Sequence, residues 1–474
     1  MAELQSAISN VETAAKRPFG VRDKLGYMFG NFGNDFTFQL ASIYLMVFYT
    51  KVFGLSAGIV GTLFLVARSL DAFTDIGVGT IVDRLKGGKK GKFLPWIKYL
   101  AIPIGIASIF MYNIFIVDWS YATKVIYAFI TYLIWGSVFY TAINIPYGSM
   151  AAVISQKAED RASLSTFRTI GSLITGLFVG VVVPLFIYST DSTGNSIVDG
   201  NNFFMVAVLF GIVGTISYFA CYKLCTERVT ITKEQEQKNI DSKVLVDLKE
   251  LFKDRAFVIV VVNTLFALIA SLVTGTLNQY IFLDYFGNTA LLPLVSLTQI
   301  VGMIAMAPLA RIITKRFGKK EAGTVGLIIC GVIFILTVLV GQGYPWLFII
   351  LRVLASFGLG YYTMVSWAFI TDVIDSFLIK TGKRKDGTVY SVYSFTRKLG
   401  QALAGGIGGW ALAWIGYDSL ATVQTESVQN GIFLVSNLLP GILYIAGAVL
   451  LFTLYPLSKA KVKENEAIIE AMQK

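Results

Sequence analysis

Two carboxylates four residues apart, Asp71 and Asp75, lie inside the apolar run VGTLFLVARSLDAFTDIGVGTIV, with Arg68 just ahead of them. That spacing puts both on one face of a helix. Like charges on one face repel unless a cation, or a shared proton, lies between them. A carboxylate at mid-bilayer depth costs about 2.5–3.5 kcal/mol and marks a functional position by default. A bound Na⁺ or a proton answers the repulsion. So does a structural ion pair with Arg68 or with a basic residue of another helix, and the sequence leaves both readings open.

Other polar residues stand in similar settings. Asp35 lies in YMFGNFGNDFTFQLASIYLMVFYT, flanked by Gly30, Gly33, Asn31 and Asn34. A carboxylate among small and amide residues suits adjacent hydroxyls, which it accepts as paired hydrogen bonds. Tyr44 and Tyr49 are candidates for stacking a sugar ring, against packing as the alternative. In WGSVFYTAINIPYGSM, Thr141 and Asn144 are neutral oxygen donors three apart, able to complete a cation shell or to bond between helices. Arg168, Arg397 and Lys398 are cations within or beside apolar stretches. They are available to Asp35, to the Asp71/Asp75 couple or to a substrate, Arg for bidentate contacts and Lys as a point charge.

The elements that must hold these residues follow from composition. Of 474 residues 55% are hydrophobic and 15% charged, which is too apolar for a soluble chain of this size. Mean hydropathy is +0.67. The apolar residues come in blocks of roughly 20 or more, the length of a membrane-crossing helix. Runs such as LITGLFVGVVVPLFIY lack the alternation of a β-barrel. About twelve spans are expected, from 24–51 to 431–456. Basic clusters at 84–92, 157–161, 223–255, 315–320, 380–385 and 459–463 occupy every second connection, and the intervening loops are acidic or neutral. That alternation predicts an even-numbered bundle with both termini in the cytosol, and it gives the net charge of +11 a topological meaning. Lys51 and Lys124 are exceptions. The polar N-terminus has no cleavable signal pattern.

The polar connector divides the chain into an N-terminal tail (1–21), a six-helix bundle (22–228), a cytoplasmic connector (229–254), a second six-helix bundle (255–456) and a C-terminal tail (457–474). The halves echo each other: DRLKGGKKGKF pairs with KRFGKKEAG, and LSTFRTIGSLITG with YSFTRKLGQALAG, which aligns Arg168 with Arg397. Parallel repeats of six helices predict an all-α membrane protein of major facilitator architecture, with its substrate site between the halves. Histidine chemistry is excluded because the chain has none. Three cysteines make no metal site, and the Cys221/Cys225 spacing is that of helix packing. There is no phosphate-binding loop and no hydrolytic centre, so no enzyme is expected.

The motifs FGNDF, FLVARSLDAFTDIGVGTIVDR, GKFLPW, NIPYGSM, RASLSTFR, TDVID and YSVYSFTRKLG resemble those of the glycoside–pentoside–hexuronide:cation symporters over roughly residues 22–456. The resemblance implies that Asp71 and Asp75 bind the coupling cation, H⁺ or Na⁺, with Thr141 and Asn144 beside them. Asp71 and Asp75 are then the metal ligands if the ion is Na⁺. It implies a sugar site built from Asp35 and Arg168, bordered by Asn34, Gly148, Ser394 and Lys398. The chain departs from the family's melibiose-transporting members. Asn144 replaces a third carboxylate, Gly148 a sugar-stacking tryptophan, and Asn34 a lysine. The expected protein is a multi-pass inner-membrane transporter, functional as a monomer and without a cofactor. Its partners are a small sugar, a monovalent cation and the bilayer, with no nucleic acid. Transport of a lipid or drug, and a non-transporting sensor, are the competing expectations.

Overall fold

Backbone groups in lipid have no water to bond, so apolar stretches of this length must satisfy them internally as helices. The computed structural model describes residues 17–84, 88, 91–192, 194–229, 251–382 and 386–473. Among these the chain forms twelve long helical runs. They are α1 (Val21–Val47), α2 (Ala57–Arg84), α3 (Leu94–Phe110), α4 (Tyr121–Ile154), α5 (Ala158–Leu177, continuing to Ile187), α6 (Gly200–Leu224), α7 (Arg255–Tyr280), α8 (Leu292–Phe317), α9 (Lys319–Val340), α10 (Pro345–Thr381), α11 (Asp386–Trp414) and α12 (Glu426–Leu454). A short polar helix, α13 (Lys459–Gln473), follows. Nine runs among the described residues are long and apolar enough to cross a membrane on their own composition. The shorter α3 and the more polar α1 and α11 complete the expected twelve. The connector 229–254, the tail 1–21 and the basic loops 84–92 and 380–385 lie wholly or largely outside the described residues.

Large apolar side chains face outward along the helices, as lipid requires. On α6, Met205, Leu209, Ile212 and Ile216 recur at helical spacing and are all at least half exposed. Side chains brought together from different helices fill the interior. In the N-terminal half α1 packs on α5 and α6, and α3 on α4 and α6. In the C-terminal half α7 packs on α11 and α12, α8 on α10, and α9 on α10 and α12.

The two ends of the bundle differ. At the end carrying the neutral loops the halves interlock along three seams. Between α2 and α11 the seam is lined by small residues: a methyl at Gly61 would stand 2.9 Å from the Gly406 carbonyl oxygen and 3.0 Å from the Gly409 Cα. Glycines allow such close approach of backbones in membrane bundles. Between α1 and α7, Thr50 and Tyr280 share a 2.9 Å hydrogen bond. Between α5 and α8, Gly180 faces Ser296. A hairpin of β1 (Tyr188–Thr190) and β2 (Ser196–Val198) adds further bonds, with Tyr188 donating to Gln279 (2.9 Å) and Ser196 to the Gly287 carbonyl (3.0 Å).

Three of the chain's π-helical turns lie at these seams: Phe48–Val52 extending α1, Phe178–Val182 in α5 and Ile281–Tyr285 extending α7. A π-turn inserts a residue and re-aims the side chains after it, and such turns recur at functional positions. Here they present Thr50, Lys51 and Asp284 to the opposite half. Tyr44 and Tyr49 belong to this packing. Both are fully buried, and Tyr44 donates to the Val179 carbonyl at 3.0 Å, so neither is free to stack a sugar.

At the basic end the ion pairs and caps of the described residues that follow each stay within one half. Glu227 is buried and accepts the backbone N–H groups of Lys92, Phe93 and Leu94 at 2.7, 2.8 and 2.7 Å. It therefore caps the start of α3. This explains the glycine of GKFLPW: Gly91 has φ +111°, and a Cβ there would collide with the Glu227 carboxylate. Asp23 is clamped by Arg228 (2.8 Å) and Arg17 (2.8 Å), and Lys319 pairs with Asp372 (2.5 Å). Hydrogen bonds to a charged acceptor contribute about 1.5–3 kcal/mol each. Glu227→Ala is accordingly expected to cost about 3 kcal/mol and to lower the unfolding temperature in detergent. An unchanged unfolding temperature would remove the capping role.

Candidate functional site

Between the halves, charged side chains of α1, α2, α5 and α11 come close to the interface. They form two groups separated by an aromatic pair.

The first group centres on Asp35 of α1. Its carboxylate accepts from Asn31 Nδ2 at 2.8 Å, one turn earlier on the same helix. It also accepts from the Ser172 hydroxyl of α5 at 2.6 Å. Arg168, one turn before Ser172, donates from Nε to Asn31 Oδ1 at 3.3 Å and lies 5.6 Å over the Tyr147 ring. Asn31 therefore bridges the arginine and the aspartate. Asn34 is placed differently from the expectation. It is 2% exposed and turns away from Asp35 to accept from the Tyr218 hydroxyl of α6 at 2.8 Å. One residue of helix is about 100° of rotation, so adjacent Asn34 and Asp35 cannot share a face. Asn31, at i−4, can. Ser172 is the residue that sequence reasoning missed, and Asn31 stands beside Asp35 in the sequence without an assigned role; both carry the one-turn spacing that could have found them.

The second group lies on α2. Asp71 is buried and accepts from the Ser137 hydroxyl of α4 at 2.5 Å. Its nearest cation is Arg68, with Nη1 4.0 Å away. Ser137 belongs to a fourth π-turn, Ile134–Tyr140, and Gly136 in that turn leaves room for the Asp71 carboxylate. The Gly136 carbonyl, which takes the Thr141 backbone N–H in the π-turn, also accepts from the Thr141 hydroxyl at 3.2 Å. Thr141 is thus one step removed from Asp71, behind the turn that holds Ser137. Asn144, one turn on, is half-buried. Asp75 forms an ion pair with Lys398 of α11. The two aspartates share a helix and have different partners. One is lodged in the N-terminal half, and the other reaches across to the C-terminal half.

Phe38 stacks on Tyr140 with ring centroids 5.4 Å apart, and the Arg68 guanidinium lies 4.7 Å over Phe38. These rings separate the Asp35 group from the Asp71 group. Beside them is a cavity of about 40 Å³ lined by both halves, including Ser42, Arg68, Tyr132, Thr276 and Gln401. Gly148 faces open space, since a methyl there would meet no atom within 4 Å. Ser394 is exposed, one turn before Lys398 on α11. Arg397 does not join either group and lies 5.6 Å over the Trp367 ring of α10. Among the described residues no three His, Cys, Asp or Glu side chains gather in one place. The charge that balances Asp75 here is the Lys398 ammonium.

This architecture matches known proteins. The family model described as MFS/sugar transport protein covers residues 26–459. The chain is 32% identical over 466 residues to the uncharacterized symporter YjmB of Bacillus subtilis, covering 96% of each chain. It is 32% identical over 457 residues to the glucuronide carrier protein homolog of Escherichia coli, again covering 96% of each. Among solved structures, the xylose transporter XylE of Escherichia coli shares the fold with a TM-score of 0.62 at 15% identity, over 94% of this chain and 98% of that one. The chain therefore belongs to the MFS/sugar transport family of the major facilitator superfamily, in its glycoside–pentoside–hexuronide:cation symporter branch.

Proposed function

We propose that the protein is a secondary active transporter of the bacterial inner membrane, coupling uptake of a sugar or glycoside to inward flow of H⁺ or Na⁺. The observation that carries this reading is the ion pair between Asp75 and Lys398 across the two halves, beside the polar group around Asp35. The uncharacterized symporter and the glucuronide carrier protein homolog among its relatives support the same class.

The chemistry follows from the partners. An incoming cation competes with Lys398 for Asp75. A proton neutralises the carboxylate. Sodium would be held by Asp75 and Asp71, with oxygen from Ser137, Thr141 or the Asn144 amide within one turn. Either ion frees Lys398 and loosens the contact between α2 and α11. Sugar hydroxyls then exchange with Asn31 and Ser172 at Asp35, and Arg168 orients the ring, with Ser394 and the open space at Gly148 on the opposing borders. Each ligand raises the affinity of the other because both act on the same contact between the halves. Rocking of the halves alternates access. With the basic loops in the cytosol, the interlocked neutral end faces outward and this conformer is closed to the outside. The chain acts without a cofactor and without catalysis of its own.

Uptake into proteoliposomes tests this reading. A panel of labelled glycosides, pentosides and hexuronides is offered under an inward Na⁺ gradient or an inward proton gradient. At least one sugar is expected to accumulate against its gradient under one of the two ions. Equilibration without accumulation under both would remove the coupling, and no sugar flux at all would remove the substrate class.

A further inference from the structure

The C-terminal half holds a buried cation with no anion beside it among the described residues. Arg352 of α10 is 4% exposed. Its Nη2 donates to Asn437 Oδ1 at 2.7 Å, whereas Nε and Nη1 are buried without a hydrogen-bond partner among the described residues. The guanidinium carbon lies 3.6 Å from the Phe334 ring centroid and 4.6 Å from that of Phe348. Those contacts act on the faces of the guanidinium and do not satisfy its in-plane N–H groups. An arginine stays protonated in proteins. A buried charge that is neither paired nor fully hydrogen-bonded is costly, and buried charges in folded proteins have a counter-ion.

The surroundings provide room but no carboxylate. Arg352 lines a cavity of about 20 Å³ together with Asn278, Thr298, Cys330, Ser356 and Tyr444, and no Asp or Glu is among its lining residues. The Tyr444 hydroxyl, which lies near Ser271, and Asn278 Oδ1 are also buried without a well-formed hydrogen bond among the described residues. A hydroxyl can donate, and an amide turned by 180° presents its NH₂ in place of its oxygen. A space of about 10–15 Å³ holds one water. This cavity is therefore of the size that takes one water or one monatomic ion.

We infer that the cavity beside Arg352 is a binding site for a monatomic halide, chloride in the cell, held by Arg352 and Tyr444. A water molecule would fill the space but leave the arginine's charge uncompensated. The ion balances that charge and ties α10 to α12 inside the C-terminal half. The site is separate from the Asp75–Lys398 contact and does not depend on what the protein carries.

The test is thermal unfolding of the full-length protein in detergent, followed by tryptophan fluorescence. Sodium gluconate is replaced stepwise by sodium chloride or sodium bromide at constant ionic strength. A saturable rise of about 5 °C is expected, because a ligand that binds only the folded state stabilises it by mass action. Arg352→Gln is expected to respond equally to gluconate and chloride. Tyr444→Phe removes one donor to the ion and is expected to weaken half-saturation about tenfold, the effect of one hydrogen bond to a charged group. Equal unfolding temperatures of the unaltered protein in gluconate and chloride would overturn the inference. So would a saturable rise that persists in Arg352→Gln. If Arg352→Gln does not fold, the titration of the unaltered protein and the Tyr444→Phe shift decide the matter.

Discussion

Asp75→Asn is expected to abolish accumulation of substrate against its gradient, while exchange of substrate across the membrane continues. The carboxylate does two jobs. In the proposed mechanism it binds the coupling ion, and in this conformer it neutralises Lys398, whose side chain is 33% exposed. Removing one partner of a buried ion pair costs about 3–5 kcal/mol, most of it from the charge left behind. Lys398 is only partly buried, so water offsets some of that cost. The loss of cation affinity is not screened in the same way. A weakening of at least about 100-fold follows from losing the charged ligand. Lys398→Met supplies the complementary result. With its internal competitor gone, Asp75 binds the cation more tightly, while return of the empty transporter slows because nothing neutralises the carboxylate. Cation titration of substrate binding on the purified variants measures both effects. Unchanged cation dependence in Asp75→Asn would place the coupling site elsewhere, with Asp71 the first residue to examine.

The second large effect is expected at the neutral end. Lys51 of α1 donates to Asp284 Oδ1 of α7 at 2.7 Å and to the Ala421 carbonyl at 3.2 Å, and Tyr417 donates to Asp284 Oδ2 at 2.9 Å. The side chains are 10% and 2% exposed, so this pair joins the two halves out of water. In a conformer that opens this end, both groups would be hydrated and the pair would be worth about 0–1 kcal/mol. Asp284→Asn leaves Lys51 buried and unpaired in the closed conformer, at about 3–5 kcal/mol. That is close to what a swing from 1:99 to 99:1 requires, about 5.5 kcal/mol. A cysteine at Thr276, which lines the cavity between the halves, reports the change. Its labelling by an impermeant maleimide added from the neutral-loop side is expected to rise at least about tenfold in Asp284→Asn. Lys51→Met combined with Asp284→Leu is expected to restore closure, because a packed apolar pair replaces a buried ion pair without loss. Labelling that stays constant across these variants would mean that the glycine seam between α2 and α11 holds the end closed without the ion pair.

Lys51 also shows where reading the chain stops. By the loop-charge rule it is an exception, a basic residue at the neutral end. Its partner is more than 200 positions away on α7, and the two meet through π-turns in both helices. Helical periodicity gives no warning of a π-turn, since the turn breaks that periodicity. The same holds for Ser137. It reaches Asp71 because the π-turn in α4 re-aims it, so Thr141 was the more visible candidate. Asn34 failed for a simpler reason: it stands next to Asp35 in sequence, and one residue is about 100° of helix rotation. By contrast, Asp35, Asp71, Asp75, Arg168 and Lys398 were conspicuous because a charge inside an apolar block needs a cause.

The chain's own pattern determined that it is a membrane bundle of about twelve helices in two related halves, and which helices carry charge into the interior. Those properties depend on hydrophobic length and local charge, which are written residue by residue. Tertiary structure decided which partners each carboxylate meets: Lys398 for Asp75, Lys51 for Asp284, and for Asp35 the hydrogen bonds of Asn31 and Ser172, with no ion pair among the described residues. Such pairings depend on the rotation and register of helices far apart in sequence. They are set by close glycine contacts and π-turns that no single helix specifies.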